Sequence, residues 1–320
     1  MAQPQDVTDL PARAAGALLG MAAGDALGAG YEFGPALPAE TEVGMVGGGV
    51  FNWEPGEWTD DTSMAIPILD ELVAGADLLD PAAMDRVARA WADWTAEATD
   101  VGAHTATMFA TAPVPVTAAS LRQTAAEHFA AGHPSGGNGT LMRTTPIALG
   151  FLDDPAGLAA AATAYALLTH GDPEGAEACV LWNLAQRTAI VSGQLDVRTG
   201  LSHLAPDRAE VWRGRIGAAE TSAPVDFPKN GWVVHALQAA WSAIATTPGT
   251  GPDHLVASLE RIVRSGGDTD TVAAIAGGLL GAAYGESAVP SHWRGALHGW
   301  PGRTGEDLAA AARGVVAAAG

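Results

Sequence analysis

The sequence has little positive charge, a single cysteine and no long hydrophobic run, and each shortage excludes a class of protein. Its 320 residues include 16 Lys and Arg against 36 Asp and Glu, for a formal net charge of −20. A nucleic-acid-binding surface needs a basic stripe, and an anionic membrane surface repels such a chain. No stretch reaches the ~20 consecutive apolar residues of a membrane span. We therefore expect no direct nucleic-acid interface and no membrane protein.

The lone cysteine, Cys179, cannot form an intramolecular disulfide. Its neighbours are typical of a buried helical face, which predicts a packing residue and not a reactive thiol. This cysteine usage predicts a reducing, cytoplasmic location. An apolar run at 14–23 follows Arg13, but acidic residues precede and follow that run, which is a poor charge layout for a signal peptide.

The hydrophobic pattern predicts helices almost throughout the chain. Hydrophobic residues make up 48% of the sequence and charged residues 16%, which is too apolar for a disordered chain. Strand-like alternation is scarce, whereas helical periodicity is widespread. We therefore predict an all-α fold of about a dozen helices, a compact single-domain orthogonal helical bundle over residues 1–320. The clearest predicted helices are 81–97, 155–168, 173–191, 231–245, 253–265 and, at the end of the chain, 308–319.

Two helical segments are unusually rich in glycine. These segments are 16–30 and 277–285, within a chain that has 40 glycines in all. Small residues along a helix let a neighbouring backbone approach closely. We predict that these helices pack with their backbones close together.

Two acidic clusters each precede an apolar helical run, about 200 residues apart in the chain. The first is the sequence at 57–64 and the second is the sequence at 266–273. Adjacent carboxylates repel each other, and a cation removes that cost when the side chains face one point. Such oxygen ligands suit Mg²⁺ or Mn²⁺, not Zn²⁺. If the clusters meet, their four carboxylates and two hydroxyls suffice for a two-metal site.

A simpler interpretation makes the same residues helix caps. Thr59, Asp60, Asp268 and Thr271 all stand near predicted helix starts. Ser, Thr and Asp favour these positions because their side chains accept hydrogen bonds from the first backbone amides. Either cluster alone is explained well by capping.

A glycine-rich turn at 135–143 is a third candidate element, because it opens into a predicted helix. Exposed amides at Gly136 and Gly137, the positive end of that helix and the Arg143 guanidinium can together hold phosphate oxygens. The turn lacks the Lys-Ser/Thr ending of a P-loop and follows no clear strand. Nucleotide hydrolase and Rossmann interpretations are therefore poor.

Taken in order, these motifs resemble the ADP-ribosylglycohydrolase family. The resemblance rests on Gly16–Gly20 with Gly24–Gly28 and Glu32-Phe33, Trp58–Thr62, Asp100–Gly102, Asn138-Gly139 with Met142-Arg143, Thr169-His170, and Asp268–Thr271. It implies an all-α fold with two Mg²⁺ or Mn²⁺ ions in a central cleft. By that resemblance the metal ligands are Thr59, Asp60, Asp61, Asp268, Asp270 and Thr271.

The resemblance also implies roles around the metals. Glu32 matches an acidic residue at the mouth of the site that also reaches the metals, and Asp100 matches an aspartate near the scissile bond. Either of the two is expected to handle the proton. Residues expected to contact the pyrophosphate and ribose are Gly136, Gly137, Asn138, Gly139, Met142, Arg143 and His170. Trp232 stands where relatives carry an aromatic residue that stacks on the adenosine, and core packing is its equal alternative.

Two departures from the family pattern concern the acceptor. Ala103 replaces an Asn that often follows Asp100–Gly102, and Gly267 replaces an Asn before Asp268. Neither change removes a predicted metal ligand, so we expect hydrolytic activity. The two changes leave the identity of the acceptor open.

The resemblance predicts a metal-dependent hydrolase that cleaves the C1″ glycosidic bond and releases ADP-ribose, with ADP-ribosylarginine on protein as the first substrate candidate. Asp100 favours that acceptor, since a carboxylate pairs with a guanidinium. Alternatives are ADP-ribosylserine, O-acetyl-ADP-ribose or poly(ADP-ribose) as substrate, a non-catalytic ADP-ribose-binding or immunity protein, and a purely structural helical interaction protein. A monomer is the default expectation.

Overall fold

The computed structural model describes residues 10–319, so the predicted domain's residues 1–9 and 320 lie outside the described part. The all-α prediction is confirmed: the described residues form fourteen α-helices and a two-stranded sheet. In that sheet, β1 (His298–Gly299) pairs antiparallel with β2 (Arg303–Thr304). The helices are α1 (Leu10–Gly28), α2 (Asp60–Val73), α3 (Pro81–Thr95), α4 (Ala103–Thr111), α5 (Ala118–Ala130), α6 (Thr145–Leu149), α7 (Pro155–Ala166), α8 (Pro173–Ser192), α9 (Pro206–Ala219), α10 (Val233–Thr246), α11 (Gly251–Ser265), α12 (Thr269–Tyr284), α13 (Ser291–Ala296) and α14 (Gly305–Ala319).

Three predicted helices begin at the predicted proline because an aspartate caps each of them. The side chains of Asp80, Asp154 and Asp172 accept hydrogen bonds from backbone amides in the first turns of α3, α7 and α8. Proline at the first helical position costs no hydrogen bond there. Helix α10 begins at Val233, not at Gly231, since Trp232 is extended and its backbone bridges to Gly137.

Helices α1 and α12 run antiparallel with their backbones in contact, as the glycine content predicts. Gly16, Gly20, Gly24 and Gly28 recur every four residues and so share one face of α1. A Cβ added at Gly20 would overlap the carbonyl oxygen of Gly277, and one added at Gly16 would overlap that of Gly281. The missing side chains therefore set the distance between the two helices.

This contact places the end of α1 beside the start of α12. The Thr269 hydroxyl donates to the Gly28 carbonyl oxygen at 2.9 Å. Backbone bonds continue the contact, because Phe33 N donates to the Gly267 carbonyl oxygen at 2.7 Å and Gly267 N donates to that of Gly34 at 2.9 Å. Glu32, which follows α1, is thereby held near the acidic residues that begin α12.

Helices α1, α8, α10 and α12 form the centre of the hydrophobic core, and most of the residues in each of them are buried. Cys179 is fully buried in α8, and burial raises the pKa of its thiol to about 12, as expected for a packing residue. The apolar run at 14–23 lies inside α1 and is buried. In the described part of the chain, every helix is too short or too polar to cross a membrane.

The α1–α12 contact gives a stability prediction. Gly277→Ala adds a Cβ that overlaps the Gly20 carbonyl, so the two backbones must separate. We expect it to lower the free energy of unfolding by about 1–3 kcal/mol, the usual cost of overpacking. Gly214→Ala in α9 is the matched control, because its Cβ meets no atom within 4 Å. That variant should gain up to about 1 kcal/mol. Urea unfolding measures both, and equal effects would contradict the packing account.

Candidate active site

The start of α2 is held by an aspartate of α1 that the sequence motifs did not identify as a site residue. Asp25 is fully buried and accepts hydrogen bonds from Thr59 N at 2.9 Å, Thr62 N at 3.0 Å and the Thr62 hydroxyl at 2.6 Å. Burial raises the pKa of Asp25 to about 6, although these donors oppose the rise. The sequence feature that could have identified Asp25 is its position as a carboxylate inside the apolar, glycine-spaced run of α1.

At this helix start, the structure confirms the capping interpretation for Thr59. The Thr59 hydroxyl oxygen accepts from Asp61 N at 3.4 Å, so Thr59 is the N-cap of α2. The same hydroxyl is 3.4 Å from Asp60 Oδ1, to which it donates. Thr59 is buried and Asp60 half-buried, whereas the Asp61 side chain is fully buried.

At the start of α12, capping does not explain the acidic residues. Asp268 occupies the cap position but its side chain makes no cap hydrogen bond. Two asparagines hold it instead: Asn138 Nδ2 donates to Asp268 Oδ2 at 2.7 Å, and Asp268 N donates to Asn230 Oδ1 at 3.0 Å. Gly267 has φ +76° here, and a Cβ on it would lie 2.5 Å from Asn230 Oδ1. Glycine at this departure from the family pattern therefore makes room for Asn230.

The two helix starts meet in space, as a shared site requires. The Thr271 hydroxyl donates to Asp61 Oδ1 at 3.2 Å across 210 residues of sequence. Carboxylate oxygens of Glu32, Asp268 and Asp270 all lie within 4.8 Å of one another. The predicted residues of both clusters and Glu32 thus surround one place in the fold.

Several of these carboxylates are buried without a hydrogen-bond donor. Such an oxygen loses its hydration and gains nothing in return, which costs about 1–3 kcal/mol for each group and more for a charged one. The unpartnered buried oxygens at this place are Glu32 Oε2, Asp61 Oδ2, Asp268 Oδ1 and Asp270 Oδ1.

Burial, followed by mutual repulsion, favours the neutral form of four acids, Glu32, Asp60, Asp61 and Asp270. Desolvation raises the pKa of Glu32 to about 8, and the negative charges of Asp268, Asp100 and Asp25 add to that rise. Desolvation, followed by the charges of neighbouring acids, also holds the pKa values of Asp60, Asp61 and Asp270 well above the ordinary range.

The donor set fits a hard divalent cation. All of its ligand atoms are carboxylate or hydroxyl oxygens, which Mg²⁺ and Mn²⁺ prefer, and a cation would satisfy the unpartnered oxygens and remove the repulsion. Glu32, Asp268 and Asp270 are close enough to share one ion. The acidic cluster can therefore hold a metal.

Asp100 lies on the side of the cluster formed by α2. It follows α3 in a loop whose Gly102 approaches the cluster: a Cβ on Gly102 would lie 3.9 Å from Asp60 Oδ2. Asp100 is 8% exposed and makes no hydrogen bond or ion pair with the described residues. Burial, together with the charges of Asp25 and Asp268, raises its pKa to about 7. Asp60 and Asp100 line one small cavity together.

On another side of the cluster, the predicted glycine-rich turn borders a cavity of about 430 Å³. Gly136, Gly137 and Trp232 all line this cavity. The Trp232 indole is half-buried, and its Cδ1 would lie 3.3 Å from a Cβ on Gly136. Trp232 therefore forms a wall of a cavity and is not simply a core residue.

Other predicted substrate residues stand behind this turn. Asn138 uses its amide nitrogen to hold Asp268 and the Asn230 carbonyl oxygen. Met142 and His170 are buried, at 3% and 2% exposure. The His170 ring lies under the turn, with Nε2 3.2 Å from a Cβ on Gly137 and Cε1 3.5 Å from one on Gly139.

The structure does not support the predicted phosphate contact of Arg143. Its side chain is fully buried, and it donates to the Thr169 hydroxyl at 2.7 Å and stacks 4.2 Å from the Trp91 ring centroid. Burial lowers its pKa to about 10. The helix expected after the turn is also absent from 138–144, where one 3₁₀ turn (Asn138–Thr140) forms. Arg143 is a core residue here, with no exposed nitrogen for a ligand.

A comparison with models of known families identifies the family of the chain. A family model described as ADP-ribosylglycohydrolase matches residues 6–320. The chain belongs to the ADP-ribosylglycohydrolase family. This membership makes it a hydrolase of ADP-ribose conjugates, as the resemblance predicted.

Individual relatives agree with the family assignment. The chain is 30% identical over 298 residues to ADP-ribosyl-[dinitrogen reductase] glycohydrolase of Rhodospirillum rubrum, covering 88% of each protein. It is 27% identical over 286 residues to ADP-ribosylarginine hydrolase Tri1 of Serratia proteamaculans (strain 568), covering 88% of this chain and 74% of that protein. A solved structure titled "ADP-ribosylglycohydrolase-related protein complex" superposes with a TM-score of 0.72 at 29% identity, covering 97% of this chain and 99% of the other.

The raised carboxyl pKa values predict how stability depends on pH and cations. Unfolded carboxyl groups ionise near pH ~4, whereas Glu32 and Asp100 in the folded chain do so near pH 8 and 7. Between those pH values the folded state binds more protons than the unfolded state does. The contribution of these two groups to the free energy of unfolding is therefore complete below about pH 4 and is lost as pH rises through the folded pKa values.

In chelator, we therefore expect the Tm to fall between about pH 5 and pH 8. Saturating Mn²⁺ should raise the Tm, and the increase should be larger at pH 8 than at pH 5 because protons compete with the cation for the same oxygens. Differential scanning calorimetry measures both effects. An unchanged Tm on adding Mn²⁺ at pH 8 would contradict the cation site.

Proposed function

We propose that this hydrolase cleaves the bond between C1″ of ADP-ribose and a guanidino nitrogen of a modified arginine on a protein, and that it depends on two Mg²⁺ or Mn²⁺ ions. The observation that carries the metal dependence is the set of four buried carboxylate oxygens without partners. Support for the arginine acceptor comes from relatives named as ADP-ribosylarginine hydrolases.

The residues that would hold the ions come from both helix starts and from the segment that follows α1. Thr59, Asp60 and Asp61 would act from α2, and Asp268, Asp270 and Thr271 from α12, with Glu32 completing the set. When bound, the ions would supply a template for the ribose hydroxyls and an activated water. Asp25 and Asn138 then act as positioning residues, because they hold Thr59 and Asp268 by hydrogen bonds.

The rest of the ADP-ribose group would lie in the cavity beside the glycine-rich turn. Backbone amides there are accessible because Gly136 and Gly137 carry no side chain to cover them. The Trp232 indole offers a flat face for the adenosine side. This placement leaves the C1″ atom near the acidic cluster and directs the acceptor towards Asp100.

The chemical step needs a proton acceptor and a group that tolerates positive charge. As the C1″–N bond breaks, positive charge develops on the sugar, and the carboxylates of Asp60 and Asp61 stabilise it. The oxygen of water forms the new C1″–O bond, and the Glu32 carboxylate takes a proton from that water. The substituted guanidinium leaves C1″ as a neutral guanidine, takes up the proton that Glu32 received from water, and then pairs as guanidinium with the carboxylate of Asp100.

Conservative substitutions test the metal ligands. Asp60→Asn and Asp270→Asn each remove a charge opposite the cations while keeping the shape of the side chain. Loss of a residue that merely orients a metal ligand costs 10–100-fold, so we expect these changes to lower kcat by at least about 100-fold. Release of ADP-ribose from ADP-ribosylated arginine, with Mg²⁺ present, measures the effect.

Asp153→Asn is the matched control, because this aspartate is exposed and far from the cluster in sequence. It should keep wild-type turnover. In chelator, Asp270→Asn should be at least as stable as the wild type, since it removes a repelling charge. Turnover and metal occupancy that are unchanged in Asp60→Asn and Asp270→Asn would refute the ligand assignment.

The acceptor is tested by comparing conjugates. Peptides ADP-ribosylated on arginine or on serine, O-acetyl-ADP-ribose and poly(ADP-ribose) would each be incubated with Mg²⁺ and with chelator. We expect release from the arginine peptide to be fastest and to stop with chelator. Faster release from another conjugate would contradict arginine as the acceptor and identify that conjugate as the substrate. ADP-ribose binding without turnover of any conjugate would favour the non-catalytic binding alternative.

A further inference from the structure

A second, smaller cavity opens beside the acidic cluster, on the side of Asp60 and Asp100. Its volume is about 240 Å³, below the ~300–1,000 Å³ of pockets that hold whole drug-sized ligands. Four tryptophans are among its lining residues, namely Trp53, Trp58, Trp94 and Trp300. The cavity therefore has room for one side chain next to the candidate reaction centre.

Two of these four tryptophans, Trp53 and Trp300, stand outside the fully buried core. Trp53 and Trp300 are half-buried in loops, whereas Trp94 is 3% exposed at the end of α3. The loops are tied together, because Trp58 Nε1 donates to the Trp300 carbonyl oxygen at 3.2 Å and Trp58 N donates to that of His298 at 3.0 Å. Trp53 Nε1 is buried and has no partner. These contacts hold Trp58 and the loop of Trp300 together at the edge of the cavity.

The charge of this cavity has one sign. Glu57, Glu97, Asp60 and Asp100 line it, and no Lys, Arg or His is among its lining residues. The carboxylates of Glu97 and Asp100 make no hydrogen bond or ion pair with the described residues, and Asp100 is more than nine-tenths buried. A cation from outside the chain would therefore find unpaired acceptors here.

Flat indole faces combined with carboxylates select a particular kind of cation. A guanidinium stacks on aromatic rings and donates two parallel hydrogen bonds to a carboxylate. A lysine ammonium is compact and strongly hydrated, so it gains less from the same walls. The neighbouring Asp60 belongs to the acidic cluster, which places this cavity next to the bond to be broken.

We propose that the cavity lined by Trp53, Trp94, Trp300 and Glu97 binds the guanidinium and stem of the acceptor arginine, and that Trp53 and Glu97 set the preference for arginine. This inference rests on the proposed function, because it assigns the acceptor half of the same substrate. Glu97 and Trp53 act on affinity for the acceptor, while ADP-ribose is bound by other residues.

Two pairs of variants test the cavity. Glu97→Gln removes a charge from an exposed side chain, and Glu40→Gln is its control at an exposed glutamate in the 38–42 loop. Trp53→Leu removes the aromatic face, whereas Trp53→Phe keeps it and loses no hydrogen bond, since Nε1 has no partner. Binding of N-acetyl-arginine amide, with N-acetyl-lysine amide as the competing cation, would be followed by tryptophan fluorescence with Mg²⁺ and ADP-ribose present.

We expect Glu97→Gln and Trp53→Leu each to weaken binding of the arginine amide about tenfold, and to raise KM for the ADP-ribosylated arginine peptide similarly. Trp53→Phe and Glu40→Gln should change either value less than about twofold. The Kd for ADP-ribose should stay at the wild-type value in all four variants. Lysine amide should bind the wild type at least about tenfold more weakly than arginine amide.

The two proposals fail in different ways. Hydrolysis of the arginine conjugate with unchanged KM and arginine-amide binding in Glu97→Gln and Trp53→Leu would overturn the cavity assignment alone. Arginine-amide binding that these variants weaken, without hydrolysis of the arginine conjugate by the wild type, would overturn the proposed reaction and support the cavity. Equal binding of the arginine and lysine amides by the wild type would also overturn the cavity assignment.

Discussion

Several carboxylates are buried together without a counter-charge, and this is the constraint on which the arrangement of the surrounding helices depends. Glu32, Asp61, Asp268 and Asp270 each bury an oxygen that no donor reaches. Loss of hydration, and then repulsion between neighbouring charges, raises the pKa values of Glu32, Asp61 and Asp270, so without a cation these groups tend to keep their protons. A chain that only needed stability would place apolar residues here. Under the proposed function, bound cations would make the arrangement favourable.

Helix α1 brings the parts of this site together. Its glycine face sets the distance to α12 and so places the start of that helix beside Glu32. On the same helix, Asp25 holds the first turn of α2 through three hydrogen bonds. One helix therefore positions both acidic helix starts. A rigid scaffold of this kind keeps mutually repelling carboxylates in place more firmly than loops alone would.

Short sequence patterns predicted the features of the fold that depend on neighbouring residues, such as helix starts and close helix packing. Proline after an aspartate cap located the starts of α3, α7 and α8, and glycine spacing predicted the α1–α12 contact. The roles of residues whose contacts are distant in sequence could not be predicted from such patterns. Arg143 follows a glycine-rich turn in sequence, but the fold turns it into the core beside Trp91. Asn230 braces Asp268 across 38 residues, and no local pattern announces such a contact.

Electron paramagnetic resonance of Mn²⁺ bound to the chelator-treated protein tests the central claim most directly. If the two helix starts and Glu32 hold a pair of cations, titration should show two Mn²⁺ ions per chain, with the spin–spin coupling of neighbouring ions. Asp270→Asn should lose that coupled signal. Two uncoupled ions or no bound ion in the wild type would contradict the account, and a single isolated ion would contradict the two-metal site.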